Sequence, residues 1–194
     1  MRLSSPRVPP LNDTELNPRQ KEVLGPLAER GPTGKPGPVL NIFRTMAHAP
    51  DALTAFLSWG SYILSRRSGL PARERELVIL RTGFLCRSGY EWTQHVEIGL
   101  ACGLKSDEIA RIKLGPDAAG WSPADRALLL AADVLHHDHH IPDDVWAQLA
   151  AHFDAKTCMD VVFTVGQYTQ VSMILNSFGV QLDEGQTLDP DLKA

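Results

Sequence analysis

The sequence predicts an all-α fold, a bundle of about seven to nine helices. Three observations carry this. From Val39 onward apolar residues recur at three- and four-residue spacing. Helix start and stop residues punctuate the chain between those stretches. Across the 194 residues no alternating apolar–polar run is joined to another by a tight turn.

Residues 1–38 read as an arm that holds eight of the 14 prolines. Pro6, Pro9 and Pro10 keep its start extended. Pro18 suits the first turn of a short helix capped by Asn17 and ending near Arg30. The run 31–38 (GPTGKPGP) is a loop by composition. With too few apolar residues for a core of its own, the arm is expected to pack on the body or on a neighbouring subunit. Residues 39–182 read as the helical body. A short helix covers Leu40 to Ala47. Pro50 opens another, to about Arg67, whose apolar set is Leu53, Phe56, Leu57, Ile63 and Leu64, and Gly69 stops it. Pro71 opens the next, with Leu77, Val78, Leu80, Phe84 and Leu85 at helical spacing. Ser88 caps a helix from Gly89 to Ala101, which Gly103 ends. Shorter helices follow from Ser106 to Leu114, from Ser122-Pro123 to about His137, and from Pro142 to His152. Asp154 caps a last helix to Ser177 with Gly179 at its stop. Val161, Val162, Phe163 and Val165 favour strand, but the length of that segment favours helix. Residues 183–194 are expected as a loose tail.

Composition narrows the function classes. Hydrophobic residues make up 43% and charged residues 22%, with a net charge of −4, as in an ordinary globular domain. No Lys/Arg block with interleaved aromatics is present, so nucleic acid is not an expected partner. No apolar run reaches the length of a membrane span, and Met1 to Pro6 lacks the apolar core of a signal peptide. Cys86, Cys102 and Cys158 are odd in number and far apart, which points to free thiols in a reducing compartment. The expected location is therefore cytoplasmic.

The chemistry concentrates in Glu76 and in the segment Ser88-Gly89-Tyr90-Glu91-Trp92-Thr93-Gln94-His95. Ser88, Glu91 and His95 stand at i, i+3 and i+7, on one face of a helix. Grouped ionisable side chains beside apolar neighbours are what proton transfer needs. Structural readings compete. Ser88-x-x-Glu91 matches a capping box, which by itself accounts for both residues. His95 borders the stripe Trp92, Val96, Gly99 and Leu100, where a histidine commonly only packs. Glu76 lies close enough to a helix start for the dipole alone to favour a carboxylate there.

The spacing of Glu76, Ser88, Glu91 and His95 resembles the signature of the alkylhydroperoxidase D / carboxymuconolactone decarboxylase superfamily. There a Glu precedes Cys-x-x-Cys-x-x-x-His on a helical hairpin. The stretch Gly89-Tyr90-Glu91-Trp92-Thr93-Gln94-His95-Val96, with Gly103 to Ile109 after it, looks like the branch lacking the cysteine pair. The resemblance spans roughly Asn41 to Leu182. It implies an alkylhydroperoxidase D-like helical fold and a homo-oligomer, trimer or hexamer. Ser88 and Glu91 occupy the two cysteine positions. A hydroxyl and a carboxylate form neither a disulfide nor a sulfenic acid, so the peroxidase chemistry does not transfer.

Acid–base chemistry on a small carboxylated or lactone molecule, without cofactor or metal, is what the resemblance leaves. Loss of CO2, or a related proton transfer or ring opening, needs a proton donor at carbon and stabilisation of developing oxygen charge. On this reading His95 is the proton donor, and Glu91 or Glu76 sets its tautomer. Tyr90 donates to substrate, Trp92 walls the pocket, Arg81 receives a carboxylate and Ser88 lies beside them; Arg81 paired to an acidic residue alone is the equal alternative. Two competitors remain: a thiol peroxidase working through Cys86, and a noncatalytic ligand-binding or scaffold oligomer.

Two other runs stand out. His136-His137-Asp138-His139-His140 invites a metal reading, but adjacent side chains diverge and Pro142 ends the helix, so a surface turn is expected. Gln167, Tyr168, Gln170 and Asn176 interrupt the last apolar helix, to line a pocket or tie an interface. Tyr168 follows Gln167 directly, so the two are not expected to face one cavity squarely. No phosphate loop and no Gly-x-Ser-x-Gly elbow is present.

Overall fold

A computed structural model describes residues 3–29 and 36–193. Among these the chain forms nine α-helices, two short 3-10 turns and no strand. The helices are α1 (Pro18–Glu29), α2 (Asn41–Met46), α3 (Pro50–Ile63), α4 (Ala72–Leu85), α5 (Gly89–Ala101), α6 (Ser106–Ile112), α7 (Pro123–Asp138), α8 (Asp143–Ala150) and α9 (Ala155–Phe178). Most of the loop expected over 31–38 lies outside the described residues, as do Met1, Arg2, Arg30 and Ala194.

The start and stop chemistry explains the boundaries. Ser122 and Asp154 accept from the amides of Asp125 and Thr157 and so cap α7 and α9. Pro50 and Pro123 occupy first-turn positions. Gly179, in the left-handed region, ends α9. The third helix stops at Ile63, four residues short of the expected Arg67. Ser65, Ser68 and Gly69 turn the chain there, with the Ser65 hydroxyl bonded to the Tyr62 carbonyl.

Helix α4 is the hub, packed against α5, α6, α7 and α9. Every residue from Arg75 to Gly83 is buried. A helix enclosed on all sides carries apolar residues all round rather than along one stripe. One core cluster joins α4, α7, α8 and α9 through Leu77, Leu80, Leu128, Leu129, Leu149 and Val161. A second joins α2, α3 and α9, and a third joins α1 to α3 through Val23, Leu24, Val39 and Leu53. The arm thus packs on the body, and Arg19 of α1 also bonds Asp51.

The segment expected as a loose tail is tied down. Asp183 accepts from the Asn41 amide, the Tyr90 hydroxyl and Gln94. Asp189 accepts from the Trp92 indole and Lys113, and Leu192 is buried. Two charged residues with buried partners hold a segment whose composition alone reads as solvent-exposed.

Leu128 has no exposed surface and sits where α4 and α7 meet. Leu128→Ala is expected to lower the unfolding free energy by about 3 kcal/mol, read from denaturant midpoints at unchanged slope.

Candidate active site

The site is built on the turn between α4 and α5. Cys86 closes α4, and Arg87 adopts a left-handed φ of 53°. The Ser88 amide then reaches back to the Gly83 carbonyl at 2.9 Å and the Arg87 amide to Phe84 at 2.9 Å. This is a Schellman closure, here with arginine where glycine is usual. It reverses the chain within three residues and lays α5 along α4. Gly83 lets them approach: a Cβ there would stand 3.3 Å from the Glu91 Cγ.

The reversal brings three ionisable residues together. His95 Nδ1 lies 2.6 Å from Glu76 Oε2 in a hydrogen bond. Its Nε2 lies 2.9 Å from Glu91 Oε1, at ion-pair distance. Glu76 is fully enclosed, Glu91 is 4% exposed and His95 is 7% exposed. Behind Glu76, Arg75 Nε stands 3.5 Å from Oε1. Charges therefore alternate along Arg75, Glu76, His95 and Glu91. Burial alone would push the His95 pKa down. The carboxylates of Glu91 and Glu76 outweigh that and raise it to about 10, so the ring is an imidazolium at neutral pH.

This row ends at a cavity of about 700 Å3. Glu91, His95, Tyr90 and Gln94 of α5 form one wall, with Gln167 and Tyr168 of α9 beside them. The remaining walls are largely apolar and come from α1, α2 and α3. The Tyr168 ring meets His95 edge-on, with centroids 5.0 Å apart. Burial, then the Glu91 and Glu76 charges, hold the Tyr168 phenol well above its ordinary pKa, so it stays neutral. Both Gln167 and Tyr168 line the cavity, against the expectation from their adjacency. Neighbours on a helix diverge by about 100°, but the cavity is wide enough to touch both.

Other predicted residues go elsewhere. Tyr90 lines the cavity, yet its hydroxyl donates to Asp183. The Trp92 indole points to Asp189, with its ring against Phe84 and under Lys113. Arg81 does not reach the cavity. It grips Asp133 bidentately at 2.6 and 2.7 Å and donates to the carbonyls of Ile112 and Lys113 at the end of α6. Ser88 stands at the N-cap of α5 without a side-chain cap bond, and no capping box forms, because Glu91 turns toward His95 instead. Cys86 Sγ lies 3.6 Å from His136 Nδ1 on a different side of α4 from the cavity-lining groups. The His136–His140 run ends α7, with His139 left-handed. Among the described residues no group of three His, Cys, Asp or Glu side chains is placed to hold a metal. No helix there is long and apolar enough to cross a membrane.

The Carboxymuconolactone decarboxylase family model matches residues 50–134, which include the hairpin. Over those residues the chain is similar to that family, and its helical fold is that of AhpD-like proteins. Solved structures share its fold. An alkylhydroperoxidase AhpD core protein from Ralstonia eutropha, an uncharacterised peroxidase-related protein, superposes with a TM-score of 0.77 at 21% identity, over 92% of this chain and 93% of that one. An Agrobacterium tumefaciens protein of unknown function, a candidate antioxidant defence protein AhpD, gives 0.66 at 23% identity over 71% of this chain and 94% of its own. The debrominase Bmp8, bound to 2,3,4-tribromopyrrole, gives 0.74 at 14% identity over 93% and 94%. No curated protein matches. The superfamily's cysteine pair is absent from this hairpin, where Ser88 and Glu91 stand.

Two outcomes follow from this geometry. Arg81→Met strands Asp133 among partly buried neighbours and is expected to cost about 3 kcal/mol of stability, read by denaturant unfolding. For His95 the folded pKa lies above the ordinary 6.5. Its contribution is whole below that value and fades as pH climbs toward 10. Between the two, the stability difference between wild type and His95→Gln is expected to shrink by up to about 1.4 kcal/mol per pH unit, measured by unfolding across pH.

Proposed function

We propose that the protein is a cofactor-independent acid–base enzyme acting on a small organic molecule bound in the cavity beside His95. The observation that carries this reading is the His95 ring, bonded to buried Glu76, paired with Glu91 and bordering a largely apolar cavity. Glu76 fixes the ring through Nδ1. Glu91, at the cavity wall, is the base that takes a proton from substrate. The His95 imidazolium stabilises negative charge developing on a substrate oxygen and returns a proton to it. The 2.9 Å between Glu91 and His95 Nε2 lets the proton pass back and reset the pair. The low-dielectric surroundings strengthen each of these interactions.

Among the reactions that the superfamily resemblance implies, proton transfer at a carbon acid and lactone ring opening suit this wall best. Decarboxylation asks for a cation to seat the carboxylate, and Arg81 is committed to Asp133. A trimeric or hexameric cytoplasmic enzyme completes the proposal. A second reading, thiol peroxidase chemistry at Cys86, is favoured only by the Cys86–His136 contact.

The test is deuterium incorporation from D2O into a panel of γ-lactones and cyclic ketones, followed by NMR. Wild type is expected to exchange at least one panel member. His95→Gln and Glu91→Gln, folded by circular dichroism, are expected to lose about 100-fold or more. Undiminished exchange in both variants would remove this pair from the chemistry, and an inert wild type would withdraw the acid–base assignment.

A further inference from the structure

The cavity's polar groups identify the kind of molecule that fits it. Among the described residues two buried side chains on its wall, the amide of Gln167 and the hydroxyl of Tyr168, make no hydrogen bond inside the protein, and the carboxylate of Glu91 beside them has His95 as its one partner. They are 5%, 5% and 4% exposed. Buried polar groups normally have partners, so two unpartnered ones beside a carboxylate with a single partner mark a place where a bound molecule supplies the rest. Their chemistry differs. A carboxylate only accepts, so it needs an O–H or N–H. The amide nitrogen and the phenol donate, so they need an acceptor. The same edge of the ligand must therefore offer both.

Charge narrows the class further. Among the described residues Arg19 is the one cationic side chain besides His95 on the cavity wall, and it is paired to Glu22 at 2.8 Å and Asp51 at 3.0 Å. The His95 charge is already flanked by two carboxylates. An anionic ligand would meet Glu91 with no unclaimed counter-charge, and like charges in a low dielectric repel strongly.

We infer that the cavity takes an uncharged, largely apolar molecule with one hydroxyl-type edge, a phenol or enol, whose O–H donates to Glu91 while its oxygen accepts from Gln167 or Tyr168. This rests on the acid–base reading of the same site, and it departs from a carboxylated substrate. A phenol or enol O–H set against Glu91 is also the proton that base would remove.

Binding of three shape-matched probes tests this by calorimetry: para-tert-butylphenol, its methyl ether, and para-tert-butylbenzoate. For wild type the phenol is expected to bind about tenfold or more tighter than either of the others. In Glu91→Gln the preference over the ether is expected to shrink to about threefold or less. Gly60→Leu is the second variant. Gly60 lies on the cavity wall in α3, and a Cβ there meets nothing nearer than Gln167 Nε2 at 4.0 Å. The added side chain occupies the cavity without straining the helix and is expected to weaken the phenol about tenfold or more. Benzoate or ether binding as tightly as the phenol, a preference that survives Glu91→Gln, or no binding of any probe at millimolar concentration would each overturn the inference. Phenol affinity untouched by Gly60→Leu would do the same. Since the probes are bound and not turned over, a negative exchange assay leaves this result standing, and a negative binding result leaves the exchange assay standing.

Discussion

The structure turns on one cation held between two buried carboxylates. Glu76 and Glu91 approach the same imidazole from opposite edges. Without a positive ring between them, two enclosed negative charges would have to be neutralised by protonation or be pushed apart. The surrounding architecture serves that contact. The hub helix carries Glu76 with no exposed surface, the left-handed Arg87 reverses the chain, and Gly83 lets the returning helix lie close enough for Glu91 and His95 to reach back.

Apolar walls and alternating charges reinforce each other. A row running from Arg75 through Glu76 and His95 to Glu91 balances internally, so the cluster tolerates burial. Its last member, Glu91, fronts the cavity. Enclosure makes that end reactive: in a poorly screened space, a carboxylate and an imidazolium act strongly on whatever lies next to them.

Much of the fold was legible because its punctuation is local. Ser122, Asp154, Pro50 and Gly179 act within one turn of where they stand, so helix limits could be placed within a few residues. The nearness of Glu91 and His95 followed from their four-residue spacing, and the hairpin that brings Glu76 to them from the family resemblance. What failed were inferences about where a side chain spends its hydrogen bonds. Ser88 and Glu91 fit a capping pattern, yet the imidazole one turn along is the stronger partner for a carboxylate. Arg81 seemed near Glu76, but five helical residues rotate a side chain by about 140°, toward Asp133 on α7. Trp92 follows Glu91 and is turned from the cavity for the same reason. The unpartnered amide and phenol of Gln167 and Tyr168 depend on α9 lying across α5, a tertiary fact that no single-helix pattern contains.

Asp183 gives the final segment an influence out of proportion to its length. One carboxylate receives the first amide of α2 and two side chains of α5, thereby bracing two opposed sides of the cavity from outside. A strap outside the cavity lining thus ties together two helices that wall the chamber. A change at Asp183 would therefore reach the chamber through its walls, without touching Glu76, Glu91 or His95.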